Sequence, residues 1–352
     1  MSSRISIAMA VYNGERFVRE QLESFARQTR LPDELVVSDD ASTDGSVEIV
    51  REFAANAPFA VQLLANELNV GCSKNFERAI EACSGDLIFI SDWDDVWHPQ
   101  KLAKIEAVFR KSPGVGVAIS DWRTVDENLR PINGATGSVF LRKIRRNPWC
   151  STKALASGKA FNHWLPPAGC CGAFRARFKP LVLPFPEGEE FRRGCYDYFL
   201  LWTILCSGAA GLALVPDRLV AYRRHRGAMN VPSRNQTSAH ATDRGQPDHR
   251  KIYLLEPVAE RLQSAIAESF CINRTLRAQV LRHLHSRCSL PRNRLVRFPI
   301  VLRELATLRY HRFSSGVVTA IKDLLLEMQP CIKPHARKLR DSKKDTLGLQ
   351  RV

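Results

Sequence analysis

Several ingredients of common nucleotide enzymes are missing from this sequence. The turn after its first apolar segment, Tyr12-Asn13-Gly14-Glu15-Arg16-Phe17, holds one glycine where a dinucleotide loop needs three, and no Walker phosphate loop occurs. NAD, FAD and P-loop enzymes are therefore disfavoured. No stretch approaches the ~18 consecutive apolar residues of a membrane span. Met1-Ser2-Ser3-Arg4 leads straight into a strand-like segment with no small-residue cleavage site, so no signal peptide is expected. The ten cysteines include no Cys-x-x-Cys and no paired Cys/His spacing. Adjacent Cys170 and Cys171 cannot form an ordinary disulfide with each other, and reduced thiols serving as small hydrophobes in a cytoplasmic protein are the expectation. There is no internal repeat and no heptad array.

What is present is ordinary in composition and uneven in charge. The 352 residues are 45% hydrophobic and 25% charged, with a net charge of +16. That length suits one large domain with an appendage, or two domains. Residues 232–352 carry 23 Lys+Arg against 10 Asp+Glu, a net of +13, while residues 1–231 carry 29 against 26, a net of +3. The basic character belongs to the tail and suggests an anionic partner.

Apolar runs and amphipathic segments alternate along the first hundred residues. Ile5–Val11, Glu34–Ser38, Val61–Ala65 and Asp86–Ile90 read as strands. Glu15–Gln28, the segment opened by Thr43-Asp44-Gly45, and Lys74–Cys83 read as helices, the last with Phe76, Ala79, Ile80 and Cys83 on one side. The pattern predicts an α/β fold with a mostly parallel sheet covered by helices on both faces, and ligands beyond the carboxyl ends of its strands. Asn13, Asp39, Asp40, Asn69, Asp92, Asp94 and Asp95 collect at those ends. Residues 125–165 read as an irregular excursion, Tyr196–Cys206 as a buried helix and Leu212–Pro216 as a short strand. Residues 232–250 read as a linker, followed by helical segments near 251–269, 273–287, 296–310 and 315–328. The expected division is 1–231, 232–250 and a basic helical extension over 251–352.

Asp92-Trp93-Asp94-Asp95 follows a buried strand. Two carboxylates two residues apart can share a divalent cation, Mg²⁺ or Mn²⁺, which neutralises charge on a departing diphosphate. Acidic triplets also cap helices or lie solvated, so the run alone is not specific.

Taken with Val11-Tyr12-Asn13-Gly14-Glu15, Val37-Ser38-Asp39-Asp40-Ala41-Ser42-Thr43-Asp44, Asn69-Val70-Gly71 with Asn75, and Gly85-Asp86, this run resembles the family 2 glycosyltransferases with a Rossmann-like GT-A fold. The resemblance is in register over roughly residues 4–125 and continues more weakly to about 230. Ser91–Trp97 with Pro99 and Leu102, Tyr222-Arg223-Arg224-His225, and Arg309–Leu326 are similar to the rhamnosyltransferase-like branch.

The resemblance implies that Val11, Tyr12 and Glu15 line a nucleotide pocket, with Asn69, Gly71 and Asn75 among the nucleotide-sugar-binding residues. Asp39 or Asp40 would accept from the base, and Asp92 would face the ribose. Asp94 and His225 would hold the metal and diphosphate. Asp197 would be the catalytic base, with Tyr196 standing where the family usually has His. Each has a plainer reading: a turn or cap for Asp39 and Asp40, a helix N-cap for Asp197, a surface site for His225. Arg223 and Arg224 would meet phosphate or acceptor, or lie solvated. Gly169–Gly172 would form an acceptor wall, or simply pack.

The implied activity is inverting, metal-dependent transfer of a sugar from a UDP- or dTDP-sugar to a hydroxyl of a cell-surface or lipid-linked glycan, with rhamnose suggested by the branch. The alternative is a non-catalytic nucleotide-sugar-binding scaffold. A nucleotidyltransferase would show a Gly-rich basic loop that is absent. In the tail, Arg292, Arg294, Arg297, Arg303, Arg309 and Arg312 interleave with apolar residues. That suits a helix pair on an anionic membrane, in a cytoplasmic protein peripheral at the inner face of the membrane, or the polar face of an ordinary helical cap. No nucleic-acid motif appears.

Overall fold

A computed structural model describes residues 2–136, 169–226 except 193 and 195, 252–310 except 272 and 292, and 320, 321, 323 and 324. The expected linker at 232–250, most of the excursion at 137–165 and the segment beyond 324 lie outside the described residues.

Nine strands form one mixed sheet among the described residues: β1 (Ile5–Val11), β2 (Glu34–Asp39), β3 (Ala60–Ala65), β4 (Leu87–Ser91), β5 (Val96–Trp97), β6 (Val115–Val125), β7 (Pro131–Thr136), β8 (Gly172–Arg175) and β9 (Gly211–Arg223). The spatial order is β3-β2-β1-β4-β8-β6-β9-β5, with β7 on β6. β1 pairs parallel with both β2 and β4 and is buried along its whole length, which is why its seven residues are nearly all apolar. Helices α1 (Val18–Ala26), α2 (Ser46–Asn56), α3 (Cys72–Ala82) and α4 (Lys101–Lys111) make the crossovers. The chain departs from β1 to one side through α1 and returns to the other side as β4. The resulting switch point opens a crevice at the carboxyl ends of β1, β2 and β4.

The second half of the sheet departs from the simple alternation. β8 runs antiparallel to both β4 and β6, and β5 is antiparallel to β9. β9 is far longer than the strand expected at Leu212–Pro216. Pro216, Asp217 and Leu219 have no opposite number on β6, and the strand resumes through to Arg223. A proline lacks the ladder N–H, but a bulge accommodates it without ending the strand.

After two short helices, α5 (Lys179–Val182) and α6 (Glu189–Arg192), comes α7 (Tyr196–Cys206). Ten of its eleven residues are buried. A helix apolar on every side must be covered on every side. Here α7 contacts α5 and β6, and also α8 (Ile252–Gln263) and α10 (Arg274–Cys288). Leu255, Val258, Leu262, Leu276 and Val280 thereby join the core of the sheet. Short α9 (Ala265–Phe270) and α11 (Arg294–Ala306) complete the described tail, with Ser264, Asn273 and Asn293 capping α9, α10 and α11 through their side chains.

Asn75 on α3 ties the sheet together at the crevice. Its Nδ2 donates to Ser38 O at 2.8 Å and Val11 O at 3.2 Å, and its Oδ1 accepts from Asn66 Nδ2 at 3.2 Å. Removing a buried partner of this kind costs roughly 1–3 kcal/mol for each group left unsatisfied. Asn75→Ala is expected to lower stability by about 2–4 kcal/mol, read as a shift in the urea midpoint at unchanged slope.

Candidate active site

The loops after β1 and β2 organise one wall of the crevice. Val11 is buried, while Tyr12 is 47% exposed at the mouth. Gly14 packs under Trp93, where an added Cβ would lie 2.8 Å from the indole Cε3. Close approach, and not a phosphate cradle, is what demands this glycine. Glu15 accepts from Gly45 N–H at 2.7 Å. Asp39 accepts from Ser42 N–H at 2.9 Å and from the Ser42 hydroxyl at 2.5 Å. Asp40 is turned into the loop before α3, where its oxygens accept from Val70 N–H at 2.7 Å, Gly71 N–H at 2.9 Å and Asn66 Nδ2 at 3.1 Å. Asn69 is exposed, and its Nδ2 donates to Asp40 O at 3.3 Å. Gly71 has φ +90°, a conformation that favours glycine, and is packed against Arg192. Asp40, Gly71 and Asn75 thus brace the wall, while Tyr12, Glu15 and Asn69 are exposed along it.

The opposite wall is made by strand pairing across more than a hundred residues. β5 follows the acidic run directly, and Val96 sits opposite Ala221 of β9. That register sets Asp94 and Asp95 beside the end of β9. Arg223 N–H donates to Asp95 Oδ1 at 3.0 Å, and Arg223 Nε donates to the Asp94 carbonyl at 2.7 Å. The Arg223 guanidinium also reaches Glu127 O at 2.6 Å and the Glu20 carboxylate, and lies 4.4 Å over the Phe17 ring. With its side chain only 1% exposed, Arg223 is neither a solvated residue nor a phosphate contact. It clamps the acidic loop. Two residues on, His225 Nε2 lies 2.9 Å from Asp94 Oδ2, and its ring is held against Phe17 and Trp93. The two residues expected to share a metal are therefore adjacent.

Asp197 enters from a third direction, in the first turn of α7, 8% exposed. Its Oδ1 accepts from Tyr198 N–H at 2.8 Å, and its Oδ2 takes a weak 3.3 Å bond from Gly169 N–H. Gly169 is pressed against this turn: an added Cβ would meet the Tyr196 hydroxyl at 2.7 Å. Tyr196 itself stacks on Phe76 at 4.2 Å, so this aromatic fills a packing site beneath the carboxylate.

The charges of these groups reach one another. Burial first, and then the neighbouring Asp94, Asp95 and Asp197, push the Asp92 carboxyl well above the usual carboxylate range. Burial, followed by Asp94, pushes Asp95 up to about 7. Burial draws fully buried Lys101 down to about 8; its ammonium donates to Cys170 O at 2.5 Å and lies 3.4 Å over the Trp97 ring. Among the described residues, the ligand atoms of Asp92, Asp95 and Cys170 lie within 4.8 Å of one another. Asp95 Oδ2 is buried without a hydrogen-bond partner, as a carboxylate awaiting a cation or a proton would be.

Two donor groups result. Asp94 Oδ2 and His225 Nε2, 2.9 Å apart, are an oxygen and a nitrogen of the kind Mg²⁺ or Mn²⁺ accepts. The deeper set includes a thiol whose pKa is raised, first by its contact with Cys171 and then by burial, and it is ill suited to a hard cation. Asp95 stood in the acidic run and was assigned no role from sequence. Cys170 and Lys101 carried no signal, because only β8, between β4 and β6, brings the 170 segment to the acidic loop.

A carboxyl with a higher pKa in the folded than in the unfolded chain favours the native state most below its unfolded value. That advantage is lost as pH rises from about 4 to about 7. Metal-free protein is therefore expected to lose stability over this window as Asp95 ionises. In EDTA, Asp95→Asn is expected to raise the melting temperature at pH 8 and leave it nearly unchanged at pH 4, compared with the unsubstituted chain by calorimetry.

The profile of the family described as Glycosyl transferase family 2 matches residues 6–178. An uncharacterized glycosyltransferase of Nostoc sp. is 31% identical over 229 residues, covering 64% of this chain and 66% of that protein. An uncharacterized protein of Mycobacterium tuberculosis is 33% identical over 138 residues, 39% of this chain and 38% of that protein. The dTDP-rhamnosyl transferase RfbG of Shigella flexneri is 37% identical over 98 residues, 27% of this chain and 34% of that protein. The chain thus spans 38% of the length of the mycobacterial relative. Among solved structures, S. aureus TarS 1–349 with UDP-GlcNAc superposes at a TM-score of 0.56 with 16% identity, covering 91% of this chain and 89% of that one. Mannosyltransferase PcManGT from Pyrobaculum calidifontis, with GDP-Man and Mn²⁺, superposes at 0.53 with 20% identity, covering 92% and 78%. At such identities the structural likenesses establish the fold, which is GT-A. Since the matched residues include β1, β2, β4 and the acidic loop that form the crevice, the chain belongs to glycosyl transferase family 2.

Proposed function

We propose that the chain is an inverting, metal-dependent glycosyltransferase that moves a sugar from a UDP- or dTDP-sugar to a hydroxyl of a cell-surface or lipid-linked glycan. The observation that carries this reading is the convergence of Asp92, Asp94 and His225 at the end of β4 with Asp197 at the start of α7. A Mg²⁺ or Mn²⁺ ion bound by Asp94 and His225 would neutralise charge on the departing nucleoside diphosphate. Tyr12, exposed at the mouth, offers its ring to the base, and Asp39 flanks the same wall. Asp92 faces the ribose. Asp197 accepts the proton of the acceptor hydroxyl as that oxygen attacks the anomeric carbon from the side opposite the leaving group.

Rhamnose is the sugar we favour, because RfbG of Shigella flexneri bears the name dTDP-rhamnosyl transferase. Mn²⁺ accompanies the nucleotide-sugar in the PcManGT structure. We further divide the chain into a catalytic part at 1–231, a linker at 232–250 and a helical extension from 251. No helix among the described residues is long and apolar enough to cross a membrane. The basic extension supports a cytoplasmic enzyme that meets an anionic membrane peripherally.

The test uses purified full-length chain, UDP- and dTDP-sugars, and Mn²⁺ or Mg²⁺. Donor hydrolysis and transfer are expected with metal and not in EDTA. Asp94→Ala is expected to lose roughly two orders of magnitude or more in kcat, as removal of a group stabilising the leaving diphosphate does. Asp197→Asn is expected to lose about 10²–10⁴-fold in transfer while still binding the donor in thermal-shift titrations. Full activity of Asp94→Ala would overturn the metal assignment.

A further inference from the structure

Helix α11 is turned inside out. Its buried residues are Arg297, Val301 and Glu304, and the two charged side chains are each 1% exposed. Their polar atoms are satisfied from within. Arg297 donates to Pro291 O at 2.8 Å and to Asp323 O at 3.1 Å, while Glu304 meets His283 Nδ1 at 3.1 Å and the Arg309 guanidinium. The outward side carries Leu295 at 84% exposure, with Val296, Phe298 and Leu302 each more than half exposed. Leu295, Phe298 and Leu302 follow helical spacing and form one stripe. Arg297, expected from sequence to belong to a polar outer face, instead points inward.

A helix that orients charge inward and leaves large apolar side chains outward presents a face for a partner. The charge around it says which. Arg294 and Arg303 are exposed on the same helix. At its carboxyl end, past exposed Leu308, a cavity of about 470 Å³ opens toward α10, lined by Arg274, Arg282 and Arg309 with Thr275, Gln279 and Thr307. Glu268 and Glu304 meet two of these arginines, and the rim remains basic. A second copy laid on this face would set arginine against arginine. Residues 325–352 carry seven Lys+Arg against three Asp+Glu, so the chain's own tail has the same sign as the cavity. An apolar stripe between basic residues is matched by an anionic lipid surface, where apolar side chains enter the headgroup–acyl boundary and arginines meet phosphates. α11 is 13 residues long, about 20 Å, which suits lying in the interface and not spanning it.

We propose that α11 is an interfacial docking helix: Leu295, Phe298 and Leu302 insert into an anionic bilayer surface, and the cavity bounded by Arg274, Arg282 and Arg309 takes a lipid phosphate. This rests on the membrane contact proposed above and names the surface that makes it. It does not depend on the transfer chemistry.

The experiment is cosedimentation of the full chain with phosphatidylcholine vesicles and with mixed phosphatidylcholine–phosphatidylglycerol vesicles. Binding is expected to the mixed vesicles, weakening with salt, and not to the neutral ones. The combined Leu295→Asp, Phe298→Asp, Leu302→Asp variant is expected to bind about tenfold less or weaker still. Arg282→Glu is expected to lose the preference for phosphatidylglycerol. All three positions of the combined variant are exposed, and its melting temperature checks the fold; Phe298→Ser serves if it does not fold. Lipid-free donor hydrolysis is expected to be unchanged in these variants, which separates failure here from failure of the enzyme reading. Undiminished vesicle binding by the combined variant would overturn the role of α11 while leaving the membrane contact standing. Absence of binding by the unsubstituted chain would overturn both. Concentration-dependent dimers without lipid, abolished by Phe298→Asp, would assign the face to a second copy and overturn the proposal.

Discussion

The candidate site depends on a two-residue strand. Val96 and Trp97 pair with Val220 and Ala221, and that register carries the acidic run to the end of β9. Without it, Asp94 and His225 have no reason to meet, because 131 positions separate them in sequence. Arg223 makes the pairing hold. One side chain binds the Asp94 carbonyl, the Glu127 carbonyl and the Glu20 carboxylate and covers the Phe17 ring, while its own N–H holds Asp95. A guanidinium serves because its planar fork of donors reaches several acceptors at once. Because Arg223 holds Asp94 by its backbone carbonyl, the Asp94 carboxylate remains for His225.

Repulsion among the carboxylates is the second constraint. Asp92, Asp94, Asp95 and Asp197 converge, and Lys101 is a cation buried beside them. Carboxylates gathered this way raise one another's pKa and favour a bound cation or retained protons. The chain accepts this cost at the end of β4, on a sheet whose buried side chains are mostly apolar. The arrangement suits the divalent-metal diphosphate site proposed above.

The first half of the fold was legible because its signals were local. Ile5–Val11, α3 with its Phe76–Ala79–Ile80–Cys83 face, and α7 were readable from apolar runs and helical spacing, and the observed elements fall where those patterns put them. β9 was not, since Pro216 reads as a stop and only the pairing with β6 shows that the strand continues. At the site, the Asp94–His225 adjacency agreed with the motif order. Motif order could not reveal how each group is used. Asp40 and Asn75 belong to the same motifs as Tyr12, yet their polar atoms are committed to loop and sheet ends. Cys170 joined Asp92 and Asp95 through β8, a strand too short to carry a periodic signature. Arg297 of α11 misled for a related reason, since sequence shows amphipathicity but not which face turns inward.

The profile match stops at residue 178, but Asp197 lies beyond it, at the tip of α7. That helix has no surface of its own: the sheet covers one side, and residues from 252 onward cover another. The stretch that the family profile matches is therefore shorter than the piece that folds together. A protein cut back to its profile match would lack α7 and Asp197 altogether, and one ended before residue 252 would leave that helix without the cover of α8 and α10. The helices after residue 252 are thus not an ornament but the second half of the mould in which the proposed base is set.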